Sequence, residues 1–263
     1  NEISNCSRLT WNKEKWKVNA IKYTFGTSDQ IGIRTINKSI VITANIPEYI
    51  SGIILEDAPI FSAEMPRFKE QDKFVYNGLK HLVNQIGNIP DRDLANYFQN
   101  MEVPASDKRI KRIPNWFVSW LSRKIKKFQD KYPDSPVEIG FPDSLRLLIK
   151  SLSMFDPDFA RAFVDGRFYD GIDHAEAFEK TKCPVLLIQA DWKRYENYGL
   201  IGAFDDDDAH HAISLAPQII YKKVSANHVI HTFKPKEYIK LLSEFREIVS
   251  DNSICNGEWW RCC

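Results

Sequence analysis

Two short, strongly apolar segments separated by about 120 residues constrain the fold of this chain more than any other feature. Ser51–Ile60 (SGIILEDAPI) and Cys183–Asp191 (CPVLLIQAD) are rich in Ile, Leu and Val and are bounded by Gly, Pro or Asp. Such runs are typical of strands buried on both faces of a parallel sheet. A third segment, Gln218–Ser225 (QIIYKKVS), is β-branched and half polar, which predicts a strand nearer the edge of that sheet.

The residues around these strands have helical patterns. The apolar spacing and end signals predict helices over Gln71–Gln85, Asp91–Asn100, Asn115–Lys131, Asp143–Met154, Asp173–Lys180 and Asp206–Leu215, and a closing helix from Pro235 to about Val249. Upstream, Ala20–Phe25 predicts a further strand and Asn37–Asn45 a helix behind it. The order of elements predicts an α/β fold in which a helical layer is inserted between two strands of a parallel sheet.

The composition excludes several classes of protein. Of the 263 residues, 43% are hydrophobic, which is enough for a substantial core and excludes general disorder. The net charge of +1 gives no global attraction to nucleic acid, and the apolar runs are too short to cross a bilayer, so we expect a soluble protein. The five cysteines lack zinc-type spacing, and there is no Walker loop or GxGxxG pattern. We therefore expect neither a metal nor a cofactor.

Acidic and histidine residues follow the predicted strands in a recognisable order. Asp191 ends the second strand, Asp205–Asp208 open the next helix, and His228 and His231 (NHVIH) follow the third strand. An acid followed by a histidine, each in a loop after a strand, is the chain order of an α/β-hydrolase triad.

This part of the chain resembles the C-terminal half of α/β-hydrolase fold proteins. The resemblance is carried by CPVLLIQADW, GLIGAFDDDDAHHA and ANHVIHTFKPKEYIKLLSEF, and it extends to ANIPEYISGIILEDAP, which is similar to the family's helix after the nucleophile and the strand that follows. It covers about residues 44–249. It implies an α/β-hydrolase-like sheet domain formed by residues 20–62 and 182–250 and a helical cap at 63–181, and it leaves the terminal segments 1–19 and 251–263 unassigned.

The same resemblance implies a Ser-His-Asp mechanism acting on a small-molecule ester or amide, with an apolar substrate as one option. It assigns the catalytic base to His228, while His231 is predicted to be structural. Asp191 is the first choice for the carboxylate that orients the base, and Asp206 and Asp208 are alternatives. Asp57 also ends a strand, but there a carboxylate that fixes the loop is the preferred interpretation.

The nucleophile is predicted from a weaker match. Gly26-Thr27-Ser28-Asp29-Gln30 approximates the GxSxG turn, with Ser28 as nucleophile and the backbone N–H of Asp29 as an oxyanion donor. Gln30 replaces the second Gly, and no His-Gly pair precedes the turn. The first third of the fold is therefore expected to be truncated, divergent or replaced. The alternative is a non-catalytic relative that acts as a binding module.

The segment from Asp107 to Lys131 combines nine Lys or Arg with aromatic residues. We interpret it as a basic amphipathic helix whose aromatic stripe packs the cap onto the sheet domain. The alternative is that the aromatic stripe lines an apolar substrate pocket or makes a peripheral contact with lipid. The charge and aromatics of this segment match no known RNA-binding module.

Overall fold

The computed structural model describes residues 21–24, 50–86, 94–99, 101–133, 135–140, 142–169 and 171–252. In chain order its strands are β1 (Ile21–Thr24), β2 (Ile53–Glu56), β3 (Glu102–Ser106), β4 (Arg109–Arg112), β5 (Val185–Gln189), β6 (Lys193–Tyr195), β7 (Gly199–Ile201) and β8 (Ile219–Lys223). The α-helices are α1 (Arg67–Glu70), α2 (Lys73–Ile86), α3 (Leu94–Gln99), α4 (Asn115–Lys131), α5 (Asp143–Met154), α6 (Pro157–Val164), α7 (His174–Lys180), α8 (Asp206–Leu215), α9 (Ile230–Phe233) and α10 (Pro235–Asn252).

Within the described residues, four parallel strands form the central sheet, in the order β1-β2-β5-β8. Leu55 of β2 lies opposite Leu187 of β5, which lies opposite Tyr221 of β8. The predicted strands are confirmed. Strand β8, which is less apolar than β2 and β5, lies at an edge of the described sheet. The expected α/β class with a parallel sheet is therefore correct.

Alternate residues of the central strands pack into two different layers because successive side chains of a strand point to opposite faces. On one face Leu55 and Leu187 pack with Phe178 of α7 and with the alanines of α8. On the other face, Ile54 and Leu186 pack against α10, which contributes Tyr238 and Phe245. Both faces of the sheet are covered, which explains why β2 and β5 are uniformly apolar.

The helical insertion, which comprises the elements from α1 to α7, has a core of its own. Its buried side chains include Leu82 and Ile86 of α2, Phe98 of α3, and Leu121 and Ile125 of α4. From the sequence, the aromatic stripe of α4 is expected to pack the insertion onto the sheet. The structure corrects this: the buried residues of α4 pack within the insertion, and the Trp116 side chain is exposed.

Other differences from the sequence-based expectations are local. The sequence pattern places Asp107–Arg112 in a basic helix, but β3 and β4 form an antiparallel hairpin there. Nothing in the sequence indicates the small β6–β7 hairpin or α6, whose first turn is capped by the Asp156 side chain. The helix predicted at Asn37–Asn45 lies outside the described residues. No helix in the described ranges is long and apolar enough to cross a membrane.

Candidate functional site

The carboxyl ends of β2, β5 and β8 meet at one edge of the sheet, and the polar residues that follow them lie there. Asp57 comes directly after β2 and is only 2% exposed. Its N–H donates to the carbonyl of Ile188 at 2.7 Å, and its Oδ1 accepts from the N–H of Ala190 at 2.9 Å. Its φ of +42° lies in the left-handed region, which a non-glycine residue adopts at a cost in energy. The fold thus holds this carboxylate rigidly at the end of the sheet.

His228 is the partner of Asp57. Nδ1 of the imidazole lies 2.6 Å from Oδ2 of the carboxylate, the distance of a charge-assisted hydrogen bond. The loop that carries His228 is attached to the end of β5 by two backbone hydrogen bonds, from Val224 to Gln189 at 2.9 Å and from Asp191 to Ala226 at 3.0 Å. The imidazole therefore has a fixed orientation, with Nδ1 directed at a buried acid.

A second histidine–carboxylate pair lies beside the first. Oε1 of Glu56, which is fully buried, accepts from the His231 N–H at 2.8 Å and lies 2.8 Å from His231 Nδ1. Burial, and next the negative charge of Glu56, raise the pKa of the neighbouring Tyr238. His231 joins the start of α9 to β2, which agrees with a structural role and fixes the chain three residues after His228.

The structure does not bring the three predicted acids to Nδ1 of His228. Oδ2 of Asp191 accepts from Ser225 Oγ at 3.1 Å. Asp206 accepts from Trp192 Nε1 at 3.0 Å and pairs with Lys223 at 2.7 Å. Asp208 completes the capping box of α8 by accepting from the Asp205 N–H at 3.2 Å, and it pairs with an arginine. The carboxylate that the structure places against Nδ1 of His228 is that of Asp57, for which the sequence alone favours only the fixing of its own loop.

Asp205 and Asp208 belong to a network of charges that joins the insertion to the sheet. Arg67 Nη1 lies 2.5 Å from Asp208 Oδ1 and Arg67 Nε lies 2.8 Å from Asp72 Oδ2. Arg194 contacts Asp72 at 2.6 Å and Asp205 at 2.5 Å. Although burial opposes the charge of Arg67, the Asp208 hydrogen bond and the surrounding carboxylates raise its pKa. Burial raises the pKa of Asp208 despite the arginine. This cluster is fully occupied by its own ion pairs.

A cavity of about 330 Å³ lies between the carboxyl end of the sheet and the helical insertion. Its volume falls in the range of small-molecule sites, about 300–1,000 Å³. Asp191, Asn227 and His228 lie on the side of the sheet. The rest of the lining is mainly apolar: Pro59, Ala63, Phe68, Phe74, Val75, Leu79, Phe163, Leu200, Ile201 and Ala203. The imidazole of His228 therefore borders a mostly hydrophobic pocket.

The predicted nucleophile and oxyanion donor, Ser28 and Asp29, lie outside the described residues. Among the described residues that line the cavity, one hydroxyl occurs, that of Ser62, and it donates to the carbonyl of Ala203. Ser62 is therefore occupied in joining two loops. Within the described ranges, no group of three or more His, Cys, Asp or Glu side chains is arranged to hold a metal ion.

Comparison with known proteins gives matches among solved structures only. No family model matches the chain, and no curated protein matches it in sequence. N-formylmaleamic acid deformylase from Pseudomonas putida S16 matches with 17% identity and a TM-score of 0.43, over 82% of this chain and 64% of that one. A putative epoxide hydrolase from Pseudomonas aeruginosa matches with 13% identity and a TM-score of 0.45, over 90% and 68%.

A putative aryl esterase from Burkholderia cenocepacia matches with 15% identity and a TM-score of 0.43, over 84% of this chain and 62% of that one. The chain thus spans less than two thirds of the length of the deformylase and of the esterase. The fold itself combines a parallel sheet with a helical layer inserted after β2, and the histidine loop follows β8.

Proposed function

We propose that this protein is a hydrolase that cleaves a carboxylic ester or amide, with Ser28 as nucleophile, His228 as general base and Asp57 as the carboxylate that orients the base. The observation that carries the proposal is the 2.6 Å contact between His228 Nδ1 and the buried Asp57, at the edge of an apolar cavity. A buried carboxylate on Nδ1 fixes the tautomer and stabilises the imidazolium that forms during acyl transfer.

The proposed reaction proceeds through an acyl-enzyme. Ser28 Oγ attacks the carbonyl carbon of the substrate while His228 Nε2 takes the hydroxyl proton, and the same nitrogen returns the proton to the leaving alcohol or amine. Water then attacks the acyl-enzyme with His228 again as base, which releases the acid and restores Ser28. The backbone N–H of Asp29 is proposed as one donor to the oxyanion.

The cavity supports a substrate with an apolar acyl group. Val75 and Leu79 of α2 and Phe163 of α6 come from the helical insertion, while Leu200 and Ile201 come from β7. These side chains offer no hydrogen bonds to a polar substituent, so binding would depend on the burial of apolar surface. The insertion would then act as a cap over the site, which excludes water from the acyl group and strengthens the electrostatic interactions at the carbonyl.

A fluorophosphonate probe tests the nucleophile and the base together. We expect the wild-type protein to be labelled on Ser28, with labelling lost in Ser28→Ala and reduced at least a hundredfold in His228→Ala. The labelled peptide is identified by mass spectrometry, and circular dichroism establishes that each variant is folded. Label on another residue would refute the role of Ser28.

The absence of label on the folded wild-type protein would instead favour the second candidate, a non-catalytic relative that binds a ligand in the cavity. That candidate is supported by the departures of residues 26–30 from GxSxG, since Gln30 stands where the family has Gly. Binding of a fluorescent fatty acid, displaced by unlabelled decanoate and weakened in a cavity variant, would then identify the protein as a binding module.

A further inference from the structure

Helix α4 presents to the solvent a row of residues that the site does not use. Positions 116, 120, 123, 124, 127 and 131 fall within an arc of about 100° on a helix of 3.6 residues per turn. We call them the outer stripe: Trp116, Trp120, Arg123, Lys124, Lys127 and Lys131. The opposite face, with Val118, Leu121 and Ile125, is buried in the core of the insertion. The outer stripe is therefore a fixed surface on a well-anchored helix.

The two indoles of the outer stripe are large apolar groups left in contact with solvent. The Trp116 side chain is 72% exposed and that of Trp120 is 38% exposed. Both pack on Phe117, with ring centroids 5.8 Å and 5.5 Å from that ring, so the three aromatic side chains form one group at this end of the helix. Ile110, in the strand that precedes the helix, is also 43% exposed. A group of exposed apolar side chains of this size marks an interaction surface.

Charge is concentrated in the same region. Residues 107–131 hold nine of the 36 Lys and Arg but only two of the 35 Asp and Glu, so this segment carries +7 and the rest of the chain −6. In the outer stripe the indoles lie at the N-terminal end and the cations in the following turns, with Lys124 Nζ 6.0 Å from the Trp120 ring. The partner that fits must therefore offer negative charge beside an apolar layer.

We propose that the outer stripe docks this protein on the surface of an anionic lipid bilayer. Tryptophan prefers the boundary between headgroups and acyl chains, and lysine stems lie along apolar surface while their ammonium groups reach phosphates. Helix α4 would lie in the plane of the surface with its buried face still attached to the insertion. A nucleic acid would use the cations, but it would gain little from the exposed aliphatic side chain of Ile110.

The proposal is tested by sedimentation of the full chain with vesicles of phosphatidylcholine alone and with 30% phosphatidylserine. We expect binding to the anionic vesicles only, weakened at least tenfold between 50 and 500 mM NaCl. Lys124→Gln/Lys127→Gln removes two cations and should weaken binding roughly 10- to 25-fold, at about fivefold per cation. The matched control is Lys236→Gln/Lys240→Gln on the exposed face of α10, which changes the net charge equally and should bind as the wild type.

Trp116→Ala separates lipid insertion from general attraction. Because Trp116 is mostly exposed, the variant should fold normally, bind the anionic vesicles about tenfold more weakly and keep the salt dependence of the wild type. No binding to anionic vesicles at 50 mM NaCl, or equal losses in the two lysine double variants, would overturn the proposal. The proposal would also be overturned if the protein bound single-stranded RNA more tightly than anionic vesicles and Trp116→Ala left that binding unchanged. A dimer of the wild type that Trp116→Ala dissociates would overturn it as well. None of these outcomes depends on the hydrolase activity.

Discussion

Asp57 and His228 lie 171 positions apart in the chain and are joined by a contact of 2.6 Å across the end of strand β5. Asp57 follows β2 and His228 follows β8, with β5 between these two strands in the sheet. The Asp57 carboxylate bridges the strands with its two oxygens. Oδ1 accepts from the N–H of Ala190, just beyond β5, and Oδ2 contacts the imidazole of His228. The order of the strands therefore assembles the pair, and each prediction about activity depends on it.

Asp57→Asn should lower ester hydrolysis roughly 10³- to 10⁴-fold in kcat. The amide keeps an oxygen for the Ala190 N–H, but it can no longer accept from Nδ1 with a full negative charge, so His228 loses both its tautomer preference and the stabilisation of its imidazolium. Steady-state kinetics on a p-nitrophenyl ester measures the effect.

Asp191→Asn is the matched control, since this residue also lines the cavity and undergoes the same chemical change. We expect less than about a threefold loss of kcat, because Asp191 accepts from Ser225 and not from His228. A large loss in Asp191→Asn together with a small one in Asp57→Asn would restore the acid that the sequence favours.

Arg67→Met should lower the free energy of unfolding by about 3 kcal/mol, measured by urea denaturation. The substitution leaves the carboxylate of Asp208 without its arginine and that of Asp72 with Arg194 alone, although both of these side chains are only 3% exposed. Arg146→Met is the control. Its partner Asp143 is 80% exposed, so less than about 1 kcal/mol should be lost. Equal losses would show that the network contributes no more than a surface ion pair.

Gly199→Ala should destabilise the protein by about 3 kcal/mol or more. A Cβ at this position would lie 2.0 Å from the carbonyl oxygen of Gln71, and the residue has a φ of +71°. Gly171 has a φ of +74°, but a Cβ there would meet no described atom within 4 Å, so Gly171→Ala should cost only about 1 kcal/mol. The difference between the two variants in thermal unfolding isolates the contact between β7 and the start of the insertion.

The sequence predicts the sheet well because the signals for its strands are local. The apolar runs around Ile54 and Leu187 and the half-polar run of β8 each indicate a strand, and a parallel arrangement follows from the helices between them. The helices Asn115–Lys131, Asp143–Met154 and Asp206–Leu215 are likewise predicted with their observed ends.

The carboxylate that contacts His228 cannot be chosen from the sequence because the contact forms between loops that follow different strands of the sheet. Asp57 and Asp191 both follow buried strands, and nothing local separates them. One local signal is useful. Asp205 and Asp208 have the spacing of a helix capping box, so the sequence already indicates that Asp208 stabilises the start of a helix. The β6–β7 hairpin cannot be predicted from the sequence either, because strands of three residues are too short to show an alternation of apolar and polar side chains.

Asp206→Asn should lower stability by less than about 1 kcal/mol at pH 7, and the difference should disappear in acid. The Lys223 hydrogen bond, with that of Trp192, holds the pKa of Asp206 below its usual 3.8. The contribution is therefore fully present above that value and is lost as the pH falls through the lower pKa of the folded state. Urea denaturation of the variant and of the wild type at pH 7 and at about pH 2.5 measures it. A difference that persists in acid would contradict the ion pair as its cause.

Val75→Trp should change which esters are cleaved. Val75 lies on α2 and lines the cavity, so a larger side chain would occupy space proposed for the acyl group. We expect kcat/KM for p-nitrophenyl octanoate to fall at least tenfold relative to p-nitrophenyl acetate, because an excluded acyl chain loses the free energy of its burial. Asn84→Trp, at an exposed position of the same helix, is the control and should leave this ratio unchanged. Equal losses for both esters in Val75→Trp would place the acyl group elsewhere and leave the cavity without the proposed role.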